Sequence, residues 1–187
     1  MNFEKHLLKQ IIQNNALVLK KIKLSSGTES SYYFNIKKIL LYPRYANLIA
    51  SQIVNILIKE NCCCIGGLAL GAVPLVSAIV LKSWDLGHLM YGFYIRPKAK
   101  SHGLENQIEG YLMKGLKIYL VDDVITTGDS ILNAIDILED QGHKVSKVIV
   151  VIDRSNGVVG QKLAKKNIKL TSLFLAKEFN TPLTNEN

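Results

Sequence analysis

Two adjacent carboxylates, Asp122 and Asp123, follow an apolar run and precede a short loop of small residues and the start of a predicted helix. The segment at positions 118–130 reads I-Y-L-V-D-D-V-I-T-T-G-D-S. Free N–H groups and the helix dipole at such a helix start favour a bound phosphate. Gly128 permits the backbone to fold around the anion, and the threonine and serine hydroxyls add donors. Because a carboxylate would repel a phosphate, we expect Asp122 and Asp123 to face ribose hydroxyls or a metal ion.

A simpler interpretation of this segment is a helix N-cap, in which Asp129 or Thr127 starts a helix after a strand with no ligand involved. An N-cap explains the turn, but it does not explain two adjacent acids beneath it. Paired acids at the end of a buried strand are costly without a function. We therefore favour a functional site.

A basic segment at positions 96–110 supplies a second candidate site. It carries Arg96, Lys98, Lys100 and His102 at alternate positions, so all four lie on one side if the segment is extended. Several cations on a loop suit a polyanion such as pyrophosphate, which must be gripped and then released. A solvated basic loop is the alternative interpretation.

The elements that must position these residues follow from periodicity and from the placement of glycine and proline. Predicted helices cover 3–14, 45–59, 72–83, 129–141 and 158–166, and predicted strands cover 16–24, 31–41, 62–66, 89–95, 117–121, 144–152 and 168–175. Residues 96–115 are predicted to form a long loop. From residue 45 onward helices and strands alternate, which predicts an α/β fold with a mostly parallel sheet flanked by helices. Ligands in such sheets bind beyond the carboxyl ends of the strands, so we expect the functional residues there.

Length and composition indicate one domain with a full hydrophobic core. The chain has 187 residues, of which 48% are hydrophobic and 20% charged. The longest apolar stretch, at 68–81, is interrupted by Gly71, Pro74 and Ser77, and the charged N-terminus lacks an apolar signal region. We therefore expect a cytoplasmic protein that does not associate with membranes. Three consecutive cysteines at 62–64 cannot converge on one metal if they lie on a strand, and they are predicted to open a buried strand.

The net charge of +8 suits either a nucleic acid or a polyanionic small substrate. The charge decides between these partners only where the basic residues cluster. Lysines at positions 20, 21, 23, 37 and 38 crowd the first quarter of the chain. We interpret this N-terminal set as a solvated basic surface.

The segment at 118–130 closely resembles the motif with which the type I phosphoribosyltransferases bind phosphoribosyl pyrophosphate (PRPP). The resemblance implies that the loop at 126–130 holds the 5′-phosphate and that Asp122 and Asp123 contact the ribose hydroxyls. It implies PRPP contacts at Asp122, Asp123, Val124, Ile125, Thr126, Thr127, Gly128, Asp129 and Ser130. The segment G-G-L-A-L-G-A-V-P at 66–74 fits the second PRPP loop of the family. The implied architecture is a single type I phosphoribosyltransferase domain over 1–187, with a small N-terminal hood at about 1–42, a core at 43–175 and a tail at 176–187.

The basic segment resembles the mobile catalytic loop of the orotate phosphoribosyltransferases, which form one branch of that family. By this resemblance the loop closes over the active site of the neighbouring subunit in a homodimer. Lys100 and His102 would then stabilise the departing pyrophosphate, with further PRPP contacts from Arg96 and Lys98. The chain departs from the common pattern after the arginine, where Pro97 and Lys98 replace Lys-Glu.

The segment L-S-S-G-T-E-S-S-Y-Y-F-N-I-K at 24–37 resembles the part of these enzymes that lies over the base. The resemblance implies that Tyr33 and Phe34 lie beside the flat ring of orotate. On pattern alone, a β-hairpin with aromatic core residues is nearly as good an interpretation. Ser25, Asn35 and Lys37 stand where the family commonly has lysine, aspartate and arginine.

The segment I-D-R-S-N-G at 152–157 places Arg154 after a predicted strand, on the expected ligand side. A guanidinium in this position could clamp the carboxylate of orotate. A surface ion pair with Asp153 is the competing interpretation. The resemblance implies that Arg154 binds the base and that Thr126 also touches orotate.

The predicted function is transfer of the phosphoribosyl group from PRPP to orotate in the pathway to UMP, with loss of pyrophosphate. Lys100, His102, Asp122 and Asp123 are the predicted catalytic residues. Mg²⁺ is expected to bridge PRPP oxygens, with few protein ligands. Two alternatives remain: a phosphoribosyltransferase for another base such as a purine, and a non-enzymatic regulator that binds RNA or DNA. A complete pyrophosphate-gripping loop argues against the regulator, so we expect no nucleic-acid partner.

Overall fold

The structure, a computed structural model, describes residues 3–23, 29–97 and 107–180. Its N-terminal part contains two helices and four two-residue strands: α1 (Phe3–Asn15), β1 (Leu17–Val18), β2 (Ile22–Lys23), β3 (Glu29–Ser30), β4 (Tyr33–Phe34) and α2 (Ile36–Leu40). Strand β1 pairs antiparallel with β4, and β2 pairs antiparallel with β3. Leu8, Ile11 and Ile12 recur at helical spacing in α1 and are buried, so this part packs onto the core through one helix face.

Six further strands of the described residues form one sheet, and this sheet confirms the predicted mostly parallel architecture. Its strands are β5 (Cys64–Leu68), β6 (Tyr91–Ile95), β7 (Ile108–Gly110), β8 (Ile118–Ile125), β9 (Val145–Asp153) and β10 (Lys169–Leu175). Their order across the sheet is β10-β9-β8-β5-β6-β7. All neighbours are parallel except β7, which runs antiparallel to β6 at the edge.

Helices cover both faces of the sheet. They are α3 (Pro43–Lys59), α4 (Val73–Asp85), α5 (Asp129–Asp140) and α6 (Val158–Ala164), followed by a 3₁₀ turn at Ala176–Glu178. Pro43 and Pro74 lie in the first turns of α3 and α4, where a missing N–H costs no intrahelical bond. Among the described residues, no helix combines the length and the apolar composition that crossing a bilayer requires.

Strand β8 shows why the sheet residues read as a continuous apolar run. Tyr119 and Val121 belong to the hydrophobic cluster that contains residues of α1 to α4. Ile118 and Leu120 point the other way, into the cluster that contains residues of α5 and α6. Because both faces are buried, successive residues are apolar instead of alternating with polar ones.

The strand order reverses between β5 and β8, and this point opens the sheet toward solvent. From β5 the chain moves to β6 on one side, whereas β8 is followed by β9 and β10 on the other. Pairing of β5 with β8 ends at Gly66 and Leu120, although β8 continues to Ile125. The carboxyl end of β8 therefore has a neighbour only on the β9 side, and such a switch point is where open α/β sheets bind ligands.

Three predicted boundaries are wrong in ways that matter for the site. In place of the predicted strand at 31–41, the chain forms the short strand β4 and then helix α2. Helix α2 begins after Asn35, because the side-chain oxygen of Asn35 accepts a hydrogen bond from the Lys38 N–H (3.3 Å). The predicted strand at 117–121 continues to Ile125, so Asp122 and Asp123 lie within β8 and not after it. The predicted loop at 96–115 contains strand β7.

At the amino ends of the strands, opposite the switch point, Glu60 joins three elements. Its carboxylate forms an ion pair with Lys147 of β9 and accepts a hydrogen bond from the Tyr119 hydroxyl of β8 (2.6 Å). Lys117 donates to the Glu60 carbonyl oxygen (3.0 Å). Burial favours the protonated form of Glu60, but the hydrogen bonds from Lys147 and Tyr119 outweigh it and hold the pKa of the carboxyl below its usual value.

Candidate active site

A cavity of about 440 Å³ lies at the switch point, beyond the carboxyl ends of the strands. The part of the chain that the structure describes includes thirteen predicted site residues, and all except Arg96 line this cavity. They are Tyr33, Phe34, Asp122, Asp123, Val124, Ile125, Thr126, Thr127, Gly128, Asp129, Ser130 and Arg154. Lys37, Leu68, Ala69, Gly71 and Ile131 complete the lining.

One part of the cavity wall is formed by the turn from β8 into α5. The first intrahelical bond of α5 is donated by the Leu132 N–H to the Gly128 carbonyl oxygen (2.9 Å). The preceding N–H groups of Asp129, Ser130 and Ile131 therefore have no partner within the helix, and all three residues line the cavity. This geometry can bind a phosphate through the backbone and the helix dipole.

The N-cap of α5 is Gly128, so the proposed N-caps Asp129 and Thr127 are both wrong. Gly128 has φ 83°, a left-handed conformation that strongly favours glycine. A Cβ at this position would lie 2.9 Å from both Cγ atoms of Val159 in α6. The Thr127 hydroxyl donates to the Asp129 carboxylate (2.7 Å), which holds the turn without capping the helix.

The two acids of β8 line the cavity beside a lysine from α2. The Lys37 ammonium donates to Asp123 Oδ2 (2.9 Å), and Asp123 Oδ1 accepts from the Val124 N–H (2.9 Å). Asp122 Oδ1 accepts from the Asp123 N–H (2.9 Å). We predicted that Lys37 belongs to a solvated basic surface, and this prediction is wrong because Lys37 pairs with Asp123. Lys20, Lys21 and Lys38 are exposed.

The environment of Asp122 and Lys37 shifts the pKa of both side chains. Burial, and then the negative charge of Asp123, raise the pKa of the Asp122 carboxyl to about 7. Burial alone would lower the pKa of the Lys37 ammonium, but the hydrogen bond and the charge of Asp123 outweigh it and raise that pKa. The site therefore holds a charged Lys37–Asp123 pair beside a carboxyl that readily takes up a proton.

The loop after β5 faces the two acids across the cavity. A Cβ at Gly71 would lie 3.5 Å from Asp122 Oδ1 and 4.0 Å from Asp123 Oδ1, so glycine keeps the space in front of the carboxylates open. The peptide bond between Ala69 and Leu70 is cis. This loop belongs to the segment predicted from resemblance to be the second PRPP loop.

Another part of the cavity wall is built by Arg154, which directly follows β9, and by residues of the N-terminal part. The Arg154 guanidinium lies over the Tyr32 ring, 4.3 Å from the centroid. It donates to Ser30 Oγ (2.9 Å) and to the Tyr32 carbonyl oxygen (3.4 Å). Asp153 instead accepts from the Ser155 N–H (2.7 Å), so the predicted alternative of an Arg154–Asp153 ion pair is wrong.

Of the two predicted base-stacking aromatics, Tyr33 has the more accessible ring. Phe34 also lines the cavity, but it is 1% exposed and packs edge-on against Phe179, with 5.1 Å between ring centroids. Tyr33 is only partly buried and lies at the cavity wall.

Arg96 lies apart from this cavity, at the base of the basic segment. The Arg96 guanidinium Nε lies 3.1 Å from Glu109 Oε1 of β7. The backbone N–H of Arg96 donates to the Gln107 carbonyl oxygen (2.8 Å). The segment joins β6 to the antiparallel edge strand β7. Lys98, Lys100 and His102 lie outside the described residues.

Comparison with known proteins agrees with this architecture. Residues 45–183 match the model of the phosphoribosyl transferase domain. The chain is 36% identical over 176 residues to the orotate phosphoribosyltransferase of Bradyrhizobium sp. (strain BTAi1 / ATCC BAA-1182), covering 92% of this chain and 95% of that protein. It is also 36% identical over 178 residues to the orotate phosphoribosyltransferase of Methanosphaera stadtmanae, covering 95% of this chain and 97% of that protein.

This chain belongs to the orotate phosphoribosyltransferase family. Its fold is that of the family: the crystal structure of the Mycobacterium tuberculosis H37Rv orotate phosphoribosyltransferase in complex with Fe(III) dicitrate superimposes with a TM-score of 0.81. That superposition covers 95% of this chain and 99% of the other, at 28% identity.

Within this orotate phosphoribosyltransferase fold, three polar contacts at the cavity were missed by the sequence analysis. Lys37 pairs with Asp123, and Ser30 and Tyr32 hold Arg154. A sequence signal existed for Lys37, because Asn35 is a good N-cap and would place Lys37 in the first turn of a helix directly after the aromatics. No comparable signal existed for Ser30 and Tyr32, since their partner is more than 120 positions away in the chain.

Proposed function

We propose that the chain transfers the phosphoribosyl group of PRPP to orotate, giving orotidine 5′-monophosphate and pyrophosphate in the biosynthesis of UMP. The observation that carries the proposal is that a single cavity joins a helix start suited to a phosphate, a pair of carboxylates and a fixed guanidinium. These groups match, in order, the 5′-phosphate, the ribose and the carboxylated base.

The positions of the two substrates follow from charge. The backbone N–H groups at 129–131, with the side chains of Thr126 and Ser130, hold the 5′-phosphate. Asp122 and Asp123 accept hydrogen bonds from the ribose hydroxyls. Arg154 binds the orotate carboxylate, and the Tyr33 ring lies against the pyrimidine.

Catalysis in this arrangement requires no nucleophile from the protein. N1 of orotate displaces pyrophosphate from the anomeric carbon, which becomes cation-like as the bond to the leaving oxygen breaks. The residues of the cavity contribute by holding both reactants in line and by placing carboxylates near the developing positive charge of the ribosyl ring. Exclusion of water by the basic segment would protect PRPP from hydrolysis.

Magnesium is the proposed cofactor, and the residues of the cavity fit it. Asp122 and Asp123 offer the hard oxygen ligands that Mg²⁺ prefers, and Gly71 leaves the space before them open. Most of its ligands would come from PRPP and water. When bound, the ion would neutralise charge on the pyrophosphate leaving group.

We further propose a homodimer in which the basic segment of one subunit serves the cavity of the other. Arg96 is absent from the lining of its own cavity and is paired with Glu109 at the sheet edge, which supports action on a neighbouring site. Leu81 and Trp84 of α4 are 71% and 75% exposed, and Tyr111 beside β7 is 72% exposed. Exposed apolar side chains of this size near one sheet edge suit burial against a second copy.

The proposed compartment is the cytoplasm. Cys62, Cys63 and Cys64 are free, which suits a reducing environment. Burial raises the pKa of the Cys62 thiol to about 11 and that of Cys64 to about 12, so these side chains act as small apolar residues of the core.

The function is tested by incubating the purified protein with PRPP, Mg²⁺ and one base at a time, and measuring consumption of the base and release of pyrophosphate. We expect turnover with orotate that stops on chelation of Mg²⁺, and no turnover with uracil or adenine. Turnover with adenine but not with orotate would identify a purine enzyme. Salt-sensitive RNA or DNA binding without turnover of any base would identify a regulator instead.

A further inference from the structure

Arg154 is held in one orientation by Ser30 and Tyr32, two residues that have no part in the proposed substrate contacts. A free arginine side chain samples many rotamers, and ordering it costs conformational entropy. Here the guanidinium is stacked on the Tyr32 ring at 4.3 Å and hydrogen-bonded to Ser30 Oγ at 2.9 Å. Together with the weaker bond to the Tyr32 carbonyl oxygen (3.4 Å), these contacts fix both the plane and the rotation of the group.

The Ser30 hydroxyl is fully used by this arrangement. It donates its proton to the Tyr32 carbonyl oxygen (2.7 Å) and accepts from the Tyr32 N–H (3.3 Å) and from Arg154 Nη2. A hydroxyl has one donor and two acceptor sites, so none remains for a substrate. Ser30 is also only 5% exposed, so it acts on Arg154 and not on the ligand.

Tyr32 is equally buried and is anchored from behind. It is 7% exposed, and its ring packs edge-on against Phe34 with 5.7 Å between centroids. Phe34 in turn packs against Phe179, which contacts Phe174 of β10. The ring that supports the guanidinium is therefore part of the rigid core and does not belong to a mobile surface.

Two hydrogen bonds occupy two of the five N–H groups of Arg154, which leaves donors for a carboxylate on the cavity side. A guanidinium that is already oriented loses little further entropy when it binds a planar anion. A base without a carboxylate would gain nothing from this preparation.

We propose that Ser30 and Tyr32 are positioning residues that orient Arg154 and thereby set the preference of the site for a pyrimidine that carries a carboxylate. The proposal rests on the proposed function, in which Arg154 receives the carboxylate of orotate. Ser30 and Tyr32 act through Arg154, so they influence recognition of the base and leave recognition of PRPP unchanged.

The test compares Tyr32→Leu, Tyr32→Phe and Ser30→Ala with the unaltered protein in steady-state kinetics. Loss of the ring in Tyr32→Leu should raise the KM for orotate about 10-fold, since a desolvated guanidinium–aromatic contact contributes a factor of this order. The KM for PRPP should stay within about twofold. Tyr32→Phe keeps the ring, so its KM for orotate should equal that of the unaltered protein. Ser30→Ala removes one hydrogen bond to the guanidinium and should raise the KM for orotate about 3- to 10-fold.

Two further variants separate positioning from general damage to the core. Ile168→Val leaves a small void in the other hydrophobic cluster, which contains neither Tyr32 nor Phe34, so it should lower the Tm and leave the KM for orotate within about twofold. In an Arg154→Ala background, Tyr32→Leu should have no additional effect on the KM for orotate, because the group that it positions is gone.

The proposal is overturned if Tyr32→Leu changes the two KM values equally, if Tyr32→Phe raises the KM for orotate as much as Tyr32→Leu does, or if Ile168→Val reproduces the effect. It also fails if Tyr32→Leu is still additive in the Arg154→Ala background. Failure of the underlying function has a different signature: the unaltered protein would then consume no orotate with PRPP. If the unaltered protein turns over orotate but Arg154→Ala leaves the KM for orotate unchanged, the carboxylate binds elsewhere and the proposal falls with that assignment. If Arg154→Ala raises that KM but Tyr32→Leu does not, base binding by Arg154 stands and only the positioning role is wrong.

Discussion

At the scale of single residues, the site places one acid, Asp122, where its charge is unfavourable for folding. Asp122 and Asp123 are adjacent on β8, and only Asp123 has a cationic partner, Lys37. The raised pKa of Asp122 means that the folded protein resists ionisation of this carboxyl. Such a residue costs stability at neutral pH and is understandable as a group held ready for a ligand.

Asp122→Asn should stabilise the protein at pH 8 by roughly 1–3 kcal/mol and lower kcat/KM for PRPP by about 100-fold. The folded pKa, about 7, lies above the ordinary value of 3.8, so the contribution of Asp122 to stability is greatest below pH 3.8 and is lost as the pH rises through 7. The advantage of the asparagine variant should therefore shrink between pH 8 and pH 5. Urea unfolding at both pH values measures the difference in unfolding free energy between the variant and the unaltered protein. Asp140→Asn, at an exposed position, is the control. A difference that does not depend on pH would contradict the raised pKa of Asp122.

Much of the site could be predicted at this scale, because the motif at 118–130 and Arg154 are defined by local sequence. Gly128 was expected to permit a backbone conformation that folds around an anion, and its φ of 83° is a conformation that favours glycine. The contacts of Lys37, Ser30 and Tyr32 could not be predicted, since each depends on how the N-terminal part docks onto the sheet. Local sequence specifies which groups are present, whereas tertiary packing decides which of them meet.

At the scale of elements, the turn from β8 into α5 depends on a close approach to α6. Gly128→Ala combines a left-handed backbone with contacts of 2.9 Å to Val159, and it should cost about 3 kcal/mol of unfolding free energy and weaken binding of PRPP. Gly115 is a matched control, since it has φ 81° and open space at its Cβ position. Gly115→Ala should cost only about 1 kcal/mol and leave PRPP binding unchanged. Equal losses in the two variants would show that the contact with Val159 is unimportant.

The Glu60 cluster is the element-scale link at the other end of the sheet. Glu60→Gln leaves Lys147, whose side chain is 7% exposed, without a counter-charge and should cost about 3 kcal/mol at pH 7. Because the folded pKa of Glu60 is lowered, its contribution is complete above the ordinary value of 4.5 and is lost as the pH falls further. The difference between the two proteins in urea unfolding should therefore be constant above about pH 5.5 and shrink toward pH 3.5.

The control for this cluster is Asp136→Asn, which breaks the exposed ion pair with Lys166 and should cost no more than about 0.5 kcal/mol. If Glu60→Gln is as mild as Asp136→Asn, the cluster makes no special contribution to joining α3, β8 and β9.

Elements with strong periodicity were predicted well, and elements that depend on tertiary pairing were not. Helix α5 agrees with its predicted bounds to within one residue, because its apolar face is regular and it is preceded by clear turn residues. The extension of β8 through Asp122 and Asp123 escaped prediction, because polar residues inside a strand are stabilised by pairing with β9, which periodicity does not show. Helix α2 escaped because β-branched and aromatic residues around it favour a strand locally.

At the scale of the whole molecule, the proposed dimer makes each active site composite. Lys100→Ala removes a loop cation, and Asp123→Asn alters the cavity, so each variant alone should be nearly inactive. Co-expressed with different tags, the two should form mixed dimers in which one cavity and one loop are both intact. About a quarter of the unaltered activity should return, since half of the dimers are mixed and each has one complete site. A loop that serves its own subunit would give no recovery.

The central claim is that one cavity binds both ends of the reaction product. A crystal structure with orotidine 5′-monophosphate tests it most directly. We predict the 5′-phosphate at the N–H groups of 129–131, the ribose hydroxyls at Asp122 and Asp123, and the base carboxylate on Arg154. A nucleotide bound in the reverse direction, or one whose carboxylate lies away from Arg154, would contradict the account.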